Sequence, residues 1–390
     1  MKKLILVLTG LFASASGFAQ NERPITTGVP FLLIAADARS AGMGDIGVAT
    51  SPDAFSQQFN PAKYAFSLKK TGFSVSYTPY LTDLVNDISL GQVTYFNRFN
   101  ERSAFAGSLR YFGLGDIELT DNSGNPMGSV KPNELAFDLS YSLQLSDKFS
   151  MGVAGRYIRS NLKIASSTGD ASAANSFAVD VAGYYESEEI AYNDFNGRWR
   201  AGFNLQNLGP KISYDGDVER SSNFLPSNLR VGAGFDFIFD EYNKVTANLE
   251  FTKLLVPTPQ IVKDFDGDGD IDNTDYQTAA DDYNSVGWVS GIFKSFGDAP
   301  DGFSEEVKEF TYSAGLEYWY QDSFALRAGY FNETEMKGAR KFATLGAGFK
   351  YNALKLDASY LFSMSKVKNP LENTLRFSLT FNFGDDYEQY

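Results

Sequence analysis

Residues 135–145 read LAFDLSYSLQL, and their character changes at every step. Leu135, Phe137, Leu139, Tyr141, Leu143 and Leu145 share one face of a strand. Ala136, Asp138, Ser140, Ser142 and Gln144 share the other, as a two-residue period requires. Residues 229–239 and 375–383 repeat the pattern. One alternating strand is ordinary in any antiparallel sheet. The constraint comes from the number of them: fourteen such segments follow residue 70, near 71–80, 88–97, 103–112, 134–145, 149–160, 176–186, 197–207, 227–239, 244–254, 309–320, 324–332, 341–351, 354–364 and 373–383. Each has roughly the ten residues that a tilted strand needs to cross a bilayer.

The connections alternate in length. FNER at 99–102, SDK at 146–148, EYN at 241–243, QDS at 321–323 and NA at 352–353 are short. Between them lie longer stretches near 113–133, 161–175, 208–226 and 255–308, with a turn near 187–196 that is long for its class. Short turns on one side, long loops on the other and an even strand number predict an all-β fold, a 14-stranded antiparallel transmembrane outer-membrane β-barrel. Closure satisfies every backbone polar group in lipid, which an open sheet cannot do. A secreted sandwich or propeller does not account for apolar rows on nearly every strand. Tyrosines near strand ends (Tyr77, Tyr80, Tyr95, Tyr111, Tyr320 and Tyr351 among them) are expected to form interfacial girdles. The opposite face carries Asp138, Arg156, Asp180, Arg200, Arg230, Asp236, Glu250, Glu317, Arg327, Asp357 and Arg376, which are predicted to line the lumen as a structural charge network.

The N-terminus fits that destination. MKKLILVLTGLFASASGFA has a lysine pair, a short apolar run and a small-residue cleavage site, so residues 1–19 are expected to be a secretory signal peptide. Its removal takes the net charge from −14 to about −16, a poor balance for binding nucleic acid. The chain has no cysteine and no histidine. That removes Ser-His-Asp and Cys-His triads and the commonest ligand of zinc and non-haem iron, so no enzyme activity is expected.

Residues 20–70 lack the two-residue period and are expected to form a partly helical hatch, with 71–390 as the barrel. Ser51-Pro52-Asp53 reads as a helix start, and Asn60-Pro61-Ala62 as its end. The run ARSAGMGDIGVATSPDAFSQQFNPAKYAF, from Ala38 to Phe66, resembles the hatch of the PorV family, with Gly42-Met43-Gly44 near its start and Asn60-Pro61-Ala62 near its end. That family comprises outer-membrane components of the type IX secretion system of Bacteroidetes, related to the fatty-acid channel FadL. The resemblance implies a fourteen-stranded barrel without enzymatic activity. It also implies partners: a SprA-like translocon barrel, secreted cargo proteins with C-terminal signal domains, and a PorU-like sortase or attachment complex at the cell surface, all in contact with outer-membrane lipid. A FadL-like channel for hydrophobic small molecules is the alternative. The tail after Phe383 departs from a barrel terminus. Either the strand runs on to Tyr390 or the tail makes a short periplasmic contact.

One further motif stands apart. In DFDGDGDIDNTDY, Asp264, Asp266 and Asp268 take positions 1, 3 and 5 of a twelve-residue calcium loop, with Gly269 at the sharp turn. Asp270, Asp272 and Asp275 take positions 7, 9 and 12. Aspartate at position 12 resembles dockerins and other extracellular calcium modules. A structural calcium ion is expected, without a pair of long helices that would make it a sensor. Counted from a periplasmic N-terminus, the loop falls between the ninth and tenth strands, on the outer side.

Overall fold

A computed structural model describes residues 23–387, apart from 82–84, 86, 122, 163–172, 215–221 and 366–368. The proposed signal peptide lies outside the described residues. Fifteen strands form one continuous sheet, and one of them is the two-residue Ile190–Ala191 that lengthens the 187–195 turn by pairing with Gly197 and Asn196. The other fourteen go round a closed barrel. They are β1 (Lys69–Pro79), β2 (Ile88–Arg98), β3 (Ser103–Leu114), β4 (Asn133–Ser146), β5 (Phe149–Asn161), β6 (Ala174–Glu186) and β7 (Asn196–Leu208). The second half comprises β8 (Asn228–Ile238), β9 (Asn243–Leu254), β10 (Phe310–Tyr320), β11 (Phe324–Asn332), β12 (Lys341–Tyr351), β13 (Leu354–Ser363) and β14 (Leu375–Asp386). Every neighbour is antiparallel, and β14 returns to pair with β1, from Tyr77 opposite Phe377 to Thr71 opposite Phe383. No described helix is long and apolar enough to cross a membrane.

Alternation along each strand sorts the side chains. Outward rows such as Phe137, Leu139 and Tyr141 on β4 or Leu249 and Phe251 on β9 are exposed, as a lipid-facing wall must be. Tyr77, Tyr95, Tyr111, Tyr320 and Tyr351 stand in those rows near strand ends. Tyr80 does not. It lies one residue beyond β1, bonds by its amide to Ile88, and packs edge-on against Phe112 inside the barrel. It continues the inward, even-numbered row of Ser76 and Thr78, the opposite parity to Tyr77.

The lumen is filled by the chain's own N-terminal segment. It contains a 3-10 turn (Pro30–Leu33), the one-turn helices α1 (Ala38–Ala41) and α2 (Ser56–Phe59), and a second 3-10 turn (Pro61–Phe66). The helix expected from Ser51 begins only at Ser56, because Asp53 ties back the local backbone through Phe55 N and the Ser56 hydroxyl. The Asn-Pro-Ala motif ends α2 and opens the next turn, where the Asn60 side chain accepts from the Ala62 amide. β1 begins at Lys69, inside the span expected for the hatch.

The segment starts at the opposite end from β1. The Arg23 amide donates to Met336 O in the β11–β12 loop, on the long-loop side. The described chain therefore begins at the outer rim and descends through the lumen, which corrects the expectation of a periplasmic N-terminus. The strand count from β1 is unaffected, and residues 255–309 still connect β9 to β10 on the outer side. At the other mouth β14 runs past Phe383 to Asp386. Tyr387 then bonds Leu68 O through its amide and Arg98 O through its hydroxyl, a contact at the short-turn end.

Candidate functional site

The region between hatch and wall is built backbone against backbone. Three inward-facing glycines, Gly315 on β10, Gly329 on β11 and Gly346 on β12, receive the Gly42-Met43-Gly44 turn. A β-carbon on Gly315 would stand 2.7 Å from Met43 O, and one on Gly329 would collide with Met43 C and Gly44 N. Gly44 itself has φ +79°, which a side chain would strain. Across the barrel, Gly152 on β5 faces Pro61 and Ala62 in the same way. Asn60 acts as the pin between them, donating to Val48 O at 2.8 Å and to Gly183 O of the wall at 3.0 Å. The six motif residues, Gly42, Met43, Gly44, Asn60, Pro61 and Ala62, thus sit at two opposed points where the hatch touches the wall.

The charges predicted for the lumen do pair there, and Glu250, Glu317 and Arg376 among them bond the hatch directly. Glu317 on β10 accepts two hydrogen bonds from Arg39, at 2.9 and 2.8 Å, and one from Arg327 at 2.7 Å. Arg39 also reaches Asp53 at 2.7 Å. Glu250 on β9 accepts from the backbone amides of Gly47 and Val48 at 2.8 and 2.9 Å, while Arg230 holds its other oxygen at 2.9 Å. Arg376 on β14 pairs with Asp45 at 3.2 Å. Within the wall, Arg156 bridges Asp138 and Asp180, and Arg200 pairs with Asp236. Asp357 lies 2.9 Å from Arg327 as an ion pair without hydrogen-bond geometry. Buried charges survive only when paired in this way.

Above this polar belt lies an apolar cluster. Val29, Phe31 and Leu32 of the entering segment pack with Leu90, Phe112, Ile158, Ile212 and Leu225. Below it, at the short-turn mouth, lies a basin of about 900 Å³ lined by residues that include Phe66, Arg98, Glu186, Arg198 and Tyr387.

The acidic loop is on the outer side. The Asp264, Asp266 and Asp268 carboxylates lie within 4.8 Å of one another and are exposed. Asp264 accepts from the Gly267 and Gly269 amides, both glycines having positive φ. Asp270 and Asp272 do not join the cluster of three. Asp272 instead caps α3 (Asn273–Ser285), and Asp275 is buried with its two oxygens taken by the Phe265 and Asp272 amides. An all-carboxylate oxygen set suits a hard cation such as calcium.

Sequence reasoning missed a second outer cluster. Arg23 pairs with Asp301 and Glu305, Lys337 with Glu305 at 2.6 Å and Glu309 at 2.9 Å, and Lys253 with Glu306 and Glu309. It ties the N-terminal segment to two outer loops, and only spatial proximity, invisible in a linear pattern, could have revealed it.

The family described as "Type IX secretion system protein PorV" matches residues 17–261, well over half of the chain. The chain belongs to the PorV family. The PorV match takes in the hatch and β1–β9 and ends just before Asp264, so the acidic loop lies beyond it. No curated protein matches. Among solved structures, the toluene transporter TbuX of Ralstonia pickettii is 13% identical with a TM-score of 0.48, covering 91% of this chain and 100% of its own. A FadL homologue of Pseudomonas aeruginosa is 12% identical with a TM-score of 0.44, covering 93% and 100%. This PorV-family chain is an outer-membrane β-barrel of type IX secretion.

Proposed function

We propose that this PorV-family protein is a docking and shuttle component. It binds the translocon barrel, receives cargo carrying a C-terminal signal domain, and passes that cargo to the sortase-like attachment complex at the surface. One observation supports this reading beyond family membership: the hatch is bolted to β9, β10 and β14 through Glu250, Glu317 and Arg376, so the lumen is built as a plug. A plugged barrel does its work with its outer wall, rim and loops. Affinity purification from native membranes tests the assignment, with translocon and signal-bearing cargo expected to co-purify. Deletion of the gene should leave such cargo inside the outer membrane. Unchanged export would defeat the proposal.

The apolar layer around Phe31 and Phe112 favours a second reading, a channel for hydrophobic small molecules. Here the layer is occupied by the chain's own Val29, Phe31 and Leu32. A lipid or detergent co-purifying in the lumen, with no protein partner, would support the channel instead.

For the acidic loop the proposed role is structural: calcium held by Asp264, Asp266 and Asp268 stiffens the connection between β9 and β10. Calorimetry on the intact protein should detect binding with a dissociation constant on the order of 10⁻⁴ to 10⁻³ M. No heat of binding at millimolar calcium would refute it.

A further inference from the structure

The β9–β10 connection does not only cover the lumen. Lys253 pairs across the sheet with Leu229 and Phe310 and shares the outward parity of Leu249 and Phe251, so its stem belongs to the lipid-facing wall. It is nevertheless 1% exposed. Its ammonium turns up from the membrane edge, as long cationic side chains do at interfaces. There it meets Glu306 and Glu309, with the Phe296 and Phe310 rings 5.8 and 5.6 Å away. The connection therefore drapes over the outside of the barrel at this point.

What it presents there is apolar. The helix α5 (Phe303–Lys308) is turned inside out: Glu305 and Glu306 are buried against cations, while Phe303 is 84% exposed and Val307, one turn on, points the same way. In α4 (Trp288–Lys294) Gly291 packs on Phe224 and Pro257, and a stripe of Val289, Phe293 and Phe296 is left outside, Phe293 at 74% exposure. Exposed aromatics of this density are not expected to face water. Phe296 and Phe310 join the stripe to the lipid-facing wall of Phe251 and Tyr312 without a polar break at Lys253, whose charge is covered. Lys294 and Lys308 close the two helices, where ammonium groups would meet lipid phosphates.

We propose that the Val289–Phe293–Phe296–Phe303–Val307 face of α4 and α5 is seated in the outer leaflet, extending the barrel's lipid contact sideways. The helices have seven and six residues, so they lie in the interface rather than cross it. The inference rests on the outer-membrane placement and not on the shuttle role.

Because the chain has no cysteine, single spin labels can be placed cleanly. Full-length Phe293→Cys and Phe303→Cys variants would be labelled in nanodiscs of phosphatidylethanolamine and phosphatidylglycerol. Phe251→Cys on the wall and Gln277→Cys on exposed α3 serve as lipid and water references. Heat-modifiable migration on gels verifies the folded barrel before each reading. Labels at 293 and 303 should collide with oxygen in preference to a water-soluble nickel chelate, as the label at 251 does. Preference for the chelate, as at 277, would overturn the proposal and leave the face free for a protein partner. Shielding from both reagents would overturn it equally.

Discussion

Arg39 and Glu317 lie 278 residues apart and meet through two buried hydrogen bonds, Nε to Oε2 at 2.9 Å and Nη2 to Oε1 at 2.8 Å. This fork-on-fork contact joins the hatch to the tenth strand, and it is shared with Arg327. Removing one partner of a buried ion pair costs about 3–5 kcal/mol, because the other charge stays desolvated. Glu317→Gln should therefore lower the unfolding midpoint in denaturant and raise ion leakage in planar bilayers. A variant as tight and stable as wild type would show that the pair does not hold the hatch.

Gly329 offers a test of the close approach. A methyl group there meets the backbone of Met43 and Gly44, which cannot yield as a flexible side chain would. Overpacking typically costs about 1–3 kcal/mol. Gly329→Ala should reduce the heat-resistant folded fraction on gels, and Gly155→Ala, whose added β-carbon meets nothing within 4 Å, should not.

The outer cluster predicts a pH response. Burial, with help from the nearby Glu309 and Glu306, pushes Asp298 up to about 6 despite the Thr258 amide that donates to it. The folded loop then binds this proton more tightly than the unfolded loop does. Its contribution is complete below the ordinary value of 3.8 and is lost as pH rises through about 6. Glu305 works in the opposite sense. Burial raises it, but the Lys337 hydrogen bond and the Arg23 charge hold it below 4.5, so its contribution disappears only as pH falls under that value. Hydrogen exchange across 288–308, corrected for intrinsic rates, should accelerate between pH 4.5 and 7 in wild type and change less in Asp298→Asn.

Calcium removal is a separate test. Millimolar calcium should protect the 264–276 segment from protease, and chelator should reverse the effect. Asp268→Asn is expected to abolish the protection without altering barrel migration, since the three carboxylates are exposed and outside the packed wall.

The barrel was legible because each strand carries its own periodic record. β11 and β12 occupy 324–332 and 341–351, the very segments that alternation delimits. Inward Arg230 and Glu250 were readable from parity alone. What parity could not convey was direction of travel before β1: nothing in residues 23–29 shows that they begin at the outer rim, because that depends on Met336 and Glu305 in distant loops. The buried carboxylates of α5 likewise invert the usual rule, and only their partners Lys337 and Lys253 reveal why. In the acidic loop, spacing located three of six aspartates in one cluster, while helix capping diverted Asp272 and backbone amides claimed Asp275.

The route of the N-terminal segment bears on how the molecule is made. The hatch must hold Glu317 on the tenth strand and Arg376 on the last, yet it leaves the ribosome before either. Arg376 belongs at once to the strand that closes the seam and to the contact that holds Asp45 of the hatch. Closure of β14 on β1 and docking of the hatch are therefore coupled, each stabilising the other. A change that frees the hatch weakens the seam as well, so plug and wall share one stability.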